Sequence, residues 1–136
     1  MNMMTMQSGK ATLDVQFDRA VVPKPDRKVL ADPVQAQLEA YNAHDLGRFI
    51  SCFTKDAVFE GSDGEVLIKG HKQIYQVYSG VFSAKKVSAK VVNRFAVGNW
   101  VADHQVVSGL SGKKKNEVIA AYRVEKGLIS RVKLLR

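Results

Sequence analysis

The stretch KVSAKVVNRFAVGNWVADHQVVSGL, residues 86–110, decides the fold class. Apolar and polar residues alternate along it, and a glycine-containing break falls at Gly98-Asn99, so it reads as two successive β-strands. The second carries Asp103 beside His104. Neighbouring strand residues point to opposite faces of a sheet, so only one of the two can face an interior. Alternation alone is compatible with either face, because both carry apolar side chains.

Working outward, NEVIAAYRVEKGLI (116–129) and ISRVKLLR (129–136) keep the alternating period, which makes four strands after residue 85. Upstream the period is helical. In ADPVQAQLEAYNAHD (31–45), Asp32 reads as an N-cap, Pro33 as the first helical residue and Gln35 as the third residue after the cap. Val34, Leu38 and Tyr41 then share one helix face. HDLGRFISCFTKDA (44–57) repeats the pattern, with Asp45 as cap and Leu46, Phe49, Ile50 and Phe53 as the apolar stripe. A short strand, AVFEG (57–61), and a turn, SDGE (62–65), precede GHKQIYQVYSGVFS (70–83), in which Ile74, Val77, Tyr78, Val81 and Phe82 mark a third amphipathic helix. Helices followed by a run of antiparallel strands make an α+β fold, with the helices on one face of a curved sheet.

Residues 1–30 read as an extension to the domain at 31–136. They are polar, contain VPKPDRK (22–28), and lack helical periodicity. Leu13, Val15 and Phe17 alternate in ATLDVQFD (11–18), as a short added strand would, and the first ten residues have nothing periodic to pack.

Composition narrows the function classes. One cysteine, Cys52, precludes an internal disulfide and fits a reducing compartment. No basic segment leads into an apolar run at the start, and no apolar stretch reaches membrane-spanning length, so the expected location is the cytoplasm. The net charge of +8 comes from scattered Lys and Arg, with runs at AKK (84–86) and GKKKN (112–116). The second run sits where a hairpin turn is expected and reads as a solvated turn. The scatter argues against a nucleic-acid partner, as the lack of a long apolar stretch does against a membrane, although the charge can draw in an anionic substrate.

Metal and nucleophile chemistry find little support. His44, His71 and His104 show no ligand spacing; His44 reads as a solvated loop residue and His71 as the decoration of a helix start. Cys52 has no activating neighbour in sequence, and no phosphate-cradling glycine loop is present.

YNAHDLGRFISCFTKDAVFEG, KGHKQIYQVYSGVF, GNWVADHQVVSG and AYRVEKGLISRV, in this order and spacing, resemble the nuclear transport factor 2-like superfamily, in its SnoaL-like and ketosteroid isomerase-like branches. The resemblance covers roughly residues 33–134. It implies a cone-shaped barrel of a curved, mainly antiparallel sheet, with three N-terminal helices packed on its concave face around an apolar pocket. It also implies a homodimer and a small apolar or aromatic ligand. By this match Val101, Asp103 and Gln105 face the pocket, and Trp100, Ala102, His104 and Val106 face outward. The aromatic residues implied for the pocket are Tyr41, Tyr75, Tyr78 and Tyr122, with Phe53, Phe59 and Phe82 as apolar wall.

A carboxylate in an apolar cone is pushed towards its neutral form unless a cation or several donors compensate. Asp103 is therefore a candidate acid/base, with Tyr41 and Gln105 as hydrogen-bonding partners, or else a structural acid tied to a tyrosine hydroxyl. The ketosteroid isomerase constellation is missing. Gly61 stands at the position of the base, with Glu60 one residue early; Gln37 stands nearest the oxyanion tyrosine, with Tyr41 a turn later; Ala120 or Ile119 stands at the oxyanion aspartate. Two readings stay open. One is a cofactor-free isomerase, cyclase or dehydratase; the other is a non-catalytic ligand-binding or dimer-scaffold domain.

Overall fold

The computed structural model describes residues 27–110, 112 and 114–136. The expectations for the strand at 11–18 and for the first ten residues lie outside these. The described elements run α1 (Arg27–Ala43), α2 (Leu46–Ser51), β1 (Phe53–Glu60), β2 (Val66–Lys69), α3 (Gly70–Ser83), β3 (Ser88–Val97), β4 (Trp100–Ser108), β5 (Lys115–Glu125) and β6 (Leu128–Leu135). The architecture is the expected α+β fold.

The strands form one sheet in the order β2-β1-β6-β5-β4-β3. Neighbours are antiparallel except β1 and β6, which run parallel. The sheet is open, with β2 and β3 as its edges, so the cone is left unclosed along one side. α1 packs across β3 to β6, and α3 packs over β1 and β2. α3 enters the chain only after the first hairpin, so the helices do not all precede the strands.

Three local readings are corrected. α1 begins at Arg27, so Pro33 sits inside the helix rather than at its first position. Proline lacks an N–H, so one backbone bond to the preceding turn of α1 is unmade there. The second helix stops at Ser51, and Phe53 opens β1 instead of closing the helical stripe. Pairing with β6 overrides the helical period there: Phe53 stands opposite Ile129, and the Ile129 N–H donates to the Cys52 carbonyl at 2.9 Å. β2, unforeseen in the sequence, is the four-residue return strand of the SDGE turn. The cap on α2 is as expected, since the Asp45 carboxylate accepts from the Arg48 N–H at 3.2 Å, a contact worth about 1 kcal/mol.

The core fills the concave side. Phe49, Phe53, Ile74 and Ile129 are its largest fully buried side chains. On β4 burial alternates strictly: Val101, Asp103, Gln105 and Val107 are buried, and Trp100, Ala102, His104 and Val106 are partly exposed. Asp103 is thus inside and His104 outside. No helix among the described residues is long and apolar enough to cross a membrane.

Candidate functional site

A cavity of about 230 Å³ opens between α1, α3 and the concave face of the sheet. Phe49, Phe53, Phe59, Val132 and Leu134 supply apolar wall. The polar lining comes from Gln37, Tyr41, Tyr78, Gln105, Asn116, Tyr122 and Arg136. An apolar chamber with a few convergent polar groups is the ordinary form of a small-molecule site.

One end of the lining is a buried hydrogen-bonded set. The Tyr122 hydroxyl accepts from Gln105 Nε2 at 2.9 Å and from Gln37 Nε2 at 3.2 Å, and Gln37 Nε2 also reaches the Val34 carbonyl at 3.0 Å. Gln37 comes from the helix and the other two from adjacent strands, so the set fastens α1 to the sheet. Burial pushes the Tyr122 phenol well above its usual pKa, and the charge of Asp103 pushes it further, against the opposing hydrogen bonds from Gln105 and Gln37.

Tyr41 and Tyr78 both line the chamber and meet edge to face, with ring centroids 6.5 Å apart. Burial raises the pKa of both phenols. Nearby Tyr41 and Tyr122 raise that of Tyr78 further, and Arg136 pulls it partly back. Both side chains are therefore neutral hydrogen-bond donors at physiological pH rather than bases.

Asp103 is fully buried but does not line the cavity. The tyrosine expected as its partner is replaced by Arg94, which grips both oxygens: Nε to Oδ1 at 2.6 Å and Nη2 to Oδ2 at 2.9 Å. Arg94 Nη1 also donates to Gln35 Oε1 on α1 at 2.9 Å. The pair with Asp103 raises the pKa of the guanidinium above its ordinary value. Tyr41 lines the cavity elsewhere and makes edge contacts with Phe82 at 5.5 Å.

Of the other expected pocket residues, Gln105, Phe53, Phe59, Tyr78 and Tyr122 do line the chamber. Val101 is buried behind it, and Phe82 is core, packed on Tyr41 and Phe49. Tyr75 is 57% exposed and points away. Asn116, Arg136 and Arg94 were missed in the sequence, and Gln37 was read there only as standing in the place of an absent oxyanion tyrosine. Helical spacing from Val34 and Tyr41 would have found Gln37, and the two-residue turn Gly98-Asn99 would have found Arg94. Pairing Val97 with Trp100 sets Arg94 opposite Asp103.

The histidines are tied rather than loose. His44 Nε2 lies 2.8 Å from the Val87 carbonyl, so it is not the solvated loop residue expected. His71, at the start of α3 as expected, has its Nε2 2.9 Å from the Phe53 carbonyl. His104 stands on the outer face, 3.8 Å from Glu117. No cluster of three or more His, Cys, Asp or Glu among the described residues is arranged to hold a metal ion.

The family model described as the SnoaL-like domain matches residues 34–132. The chain belongs to the SnoaL-like family. No curated protein matches it. Among solved structures, this SnoaL-like chain is similar to an uncharacterized cystatin-fold protein from Novosphingobium aromaticivorans, at 24% identity and a TM-score of 0.71, covering 79% of this chain and 97% of that one. It is also similar to a protein from Sinorhizobium meliloti named as a polyketide cyclase, at 20% identity and a TM-score of 0.66, covering 76% and 93%. A third is a computationally designed 17-OHP binder, at 20% identity and a TM-score of 0.65, covering 75% and 88%. At these identities the likeness is one of fold.

Proposed function

We propose that this SnoaL-like protein binds a small apolar or aromatic molecule in the cavity between α1, α3 and the sheet. The observation that carries the reading is the lining itself: apolar wall on most sides, with Tyr41 and Tyr78 as neutral donors and a fastened amide–phenol set at one end. The named ligand of the designed binder and the named activity of the cyclase-type neighbour accord with it.

A catalytic version has one observation in its favour. Two neutral phenols beside one chamber suit hydrogen-bond donation to a ligand carbonyl, which would stabilise the enolate-like charge that a cofactor-free isomerase, cyclase or dehydratase develops. The acid/base role for Asp103 is the weaker part, since both its oxygens are occupied by Arg94. No cofactor enters either version.

The reading also includes a homodimer through the outer face of the sheet. Phe95 and Val97 are 60% and 70% exposed there, beside Trp100 and Ile119, and a second copy would cover them.

Calorimetry with 2-naphthol tests the cavity. Binding by the native protein and its loss in Val81→Trp, which fills the chamber, support the reading. Equal binding by the two proteins, or none by either, overturns it.

A further inference from the structure

The two lysine runs, separate in the sequence, meet at one rim of the cavity. Ser108 joins them, pairing with Ser88 of β3 on one side and with Lys115 of β5 on the other. Lys86 stands two residues before the first of these partners. The next residue, Gly109, has φ +84° and lies so close to the backbone of Lys86 that a Cβ there would fall 1.9 Å from its carbonyl oxygen. Only glycine permits both that conformation and that approach, so the base of the β4–β5 hairpin is held against the α3–β3 loop.

A depression lined by Lys86 and Gly109 shares Val81 and Leu110 with the cavity wall. β6 reaches the same region. Leu135 pairs with Ile119 on the strand that starts at Lys115, and the next side chain, Arg136, lines the cavity beside Asn116. Lys85, Lys86, Lys114 and Lys115 are all exposed. Asp63 and Glu65 lie in the turn whose Ser62 accepts from the Arg136 N–H at 3.3 Å. Both are exposed, and neither takes part in the ion pairs seen among the described residues. Glu117 points to the outer face, towards His104.

We propose that the cavity selects an organic anion, whose aromatic or aliphatic body fills the chamber and whose carboxylate is held at the mouth by Arg136, with Lys86 and Lys114 drawing it in. This rests on the reading of the cavity as a ligand site. A guanidinium offers a carboxylate two parallel donors, which fixes the orientation of the ligand as well as attracting it. Both lysines are exposed, so their attraction for an anion is long-range and weakens as added salt shortens the Debye length, which is about 8 Å at physiological salt. The apolar wall then discriminates against small hydrophilic anions, which bury nothing.

The matched pair 2-naphthoate and 2-naphthamide separates charge from shape. Calorimetry on the native protein at low salt is expected to show the acid binding about tenfold more tightly than the amide, with the advantage shrinking as salt is raised. Arg136→Gln is expected to abolish that preference, weakening the acid about tenfold more than the amide at an unchanged melting temperature, and Lys86→Gln with Lys114→Gln to slow association of the acid alone. Equal affinity for acid and amide in the native protein overturns the inference and leaves the cavity reading standing. An acid preference that survives Arg136→Gln also overturns it. Failure of both probes to bind overturns the cavity reading and the inference together.

Discussion

Arg94 and Asp103, cross-strand neighbours on β3 and β4, meet through two hydrogen bonds of 2.6 and 2.9 Å, with the carboxylate fully buried and the guanidinium partly open to solvent. Through Gln35 the same guanidinium reaches α1, so the pair fastens the helix to the sheet edge. Asp103→Asn keeps the shape and removes the charge. It is expected to lower stability by about 2–3 kcal/mol, below the full cost for a buried pair because Arg94 can turn to water. Urea denaturation measures this, and 2-naphthol affinity should stay within about twofold, the spread of a neutral contact. Lost affinity at unchanged stability would return Asp103 to an acid/base role.

Tyr122→Phe removes the acceptor shared by Gln37 and Gln105. The expected loss is about 1–2 kcal/mol at neutral pH, since two buried amide donors lose a partner.

The tyrosines also set the alkaline limit of stability. Tyr41, Tyr78 and Tyr122 all have pKa values raised above the ordinary 10.0 by burial. As pH rises through 10 the unfolded chain loses these protons while the folded chain keeps them. The unfolded state then binds fewer protons, and stability falls with rising pH. Below that window the three groups contribute no slope. Melting temperatures between pH 8 and 11 should show the decline, and Tyr78→Phe should flatten it.

Phe95→Lys places a charge on the exposed outer face, on the edge strand β3. Light scattering at micromolar concentration is expected to show a dimer for the native protein and a monomer for the variant, at similar melting temperatures. A native monomer would refute the assembly.

Turnover of a 3-oxo-Δ5 steroid is expected at background level. Gly61, Gln37 and inward-facing Ala120 occupy the places of the base and the two oxyanion donors in the isomerase pattern, and Gln37 is already bonded to Tyr122. An absorbance assay for the conjugated product decides this.

Much of the scaffold was written locally. Strand alternation separated Asp103 from His104, and a short turn at Gly98-Asn99 fixed the pairing of Arg94 with Asp103 for anyone who counted back from it. The stripe on α3 and the Asp45 cap are likewise properties of a few consecutive residues. Phe53 shows the limit of such reading. Its helical spacing was genuine, and a parallel partner strand more than seventy residues away outweighed it. The site lay beyond local reading for the same reason. Gln37 and Tyr122 are 85 residues apart in the chain and 3.2 Å apart in space. The two lysine runs look unrelated until Gly109 seats one hairpin on the other loop. Periodicity fixes that neighbouring strand residues take opposite faces, because that depends only on backbone geometry. The curvature of the sheet and the docking of α1 decide which faces meet, and those follow from packing across the whole domain.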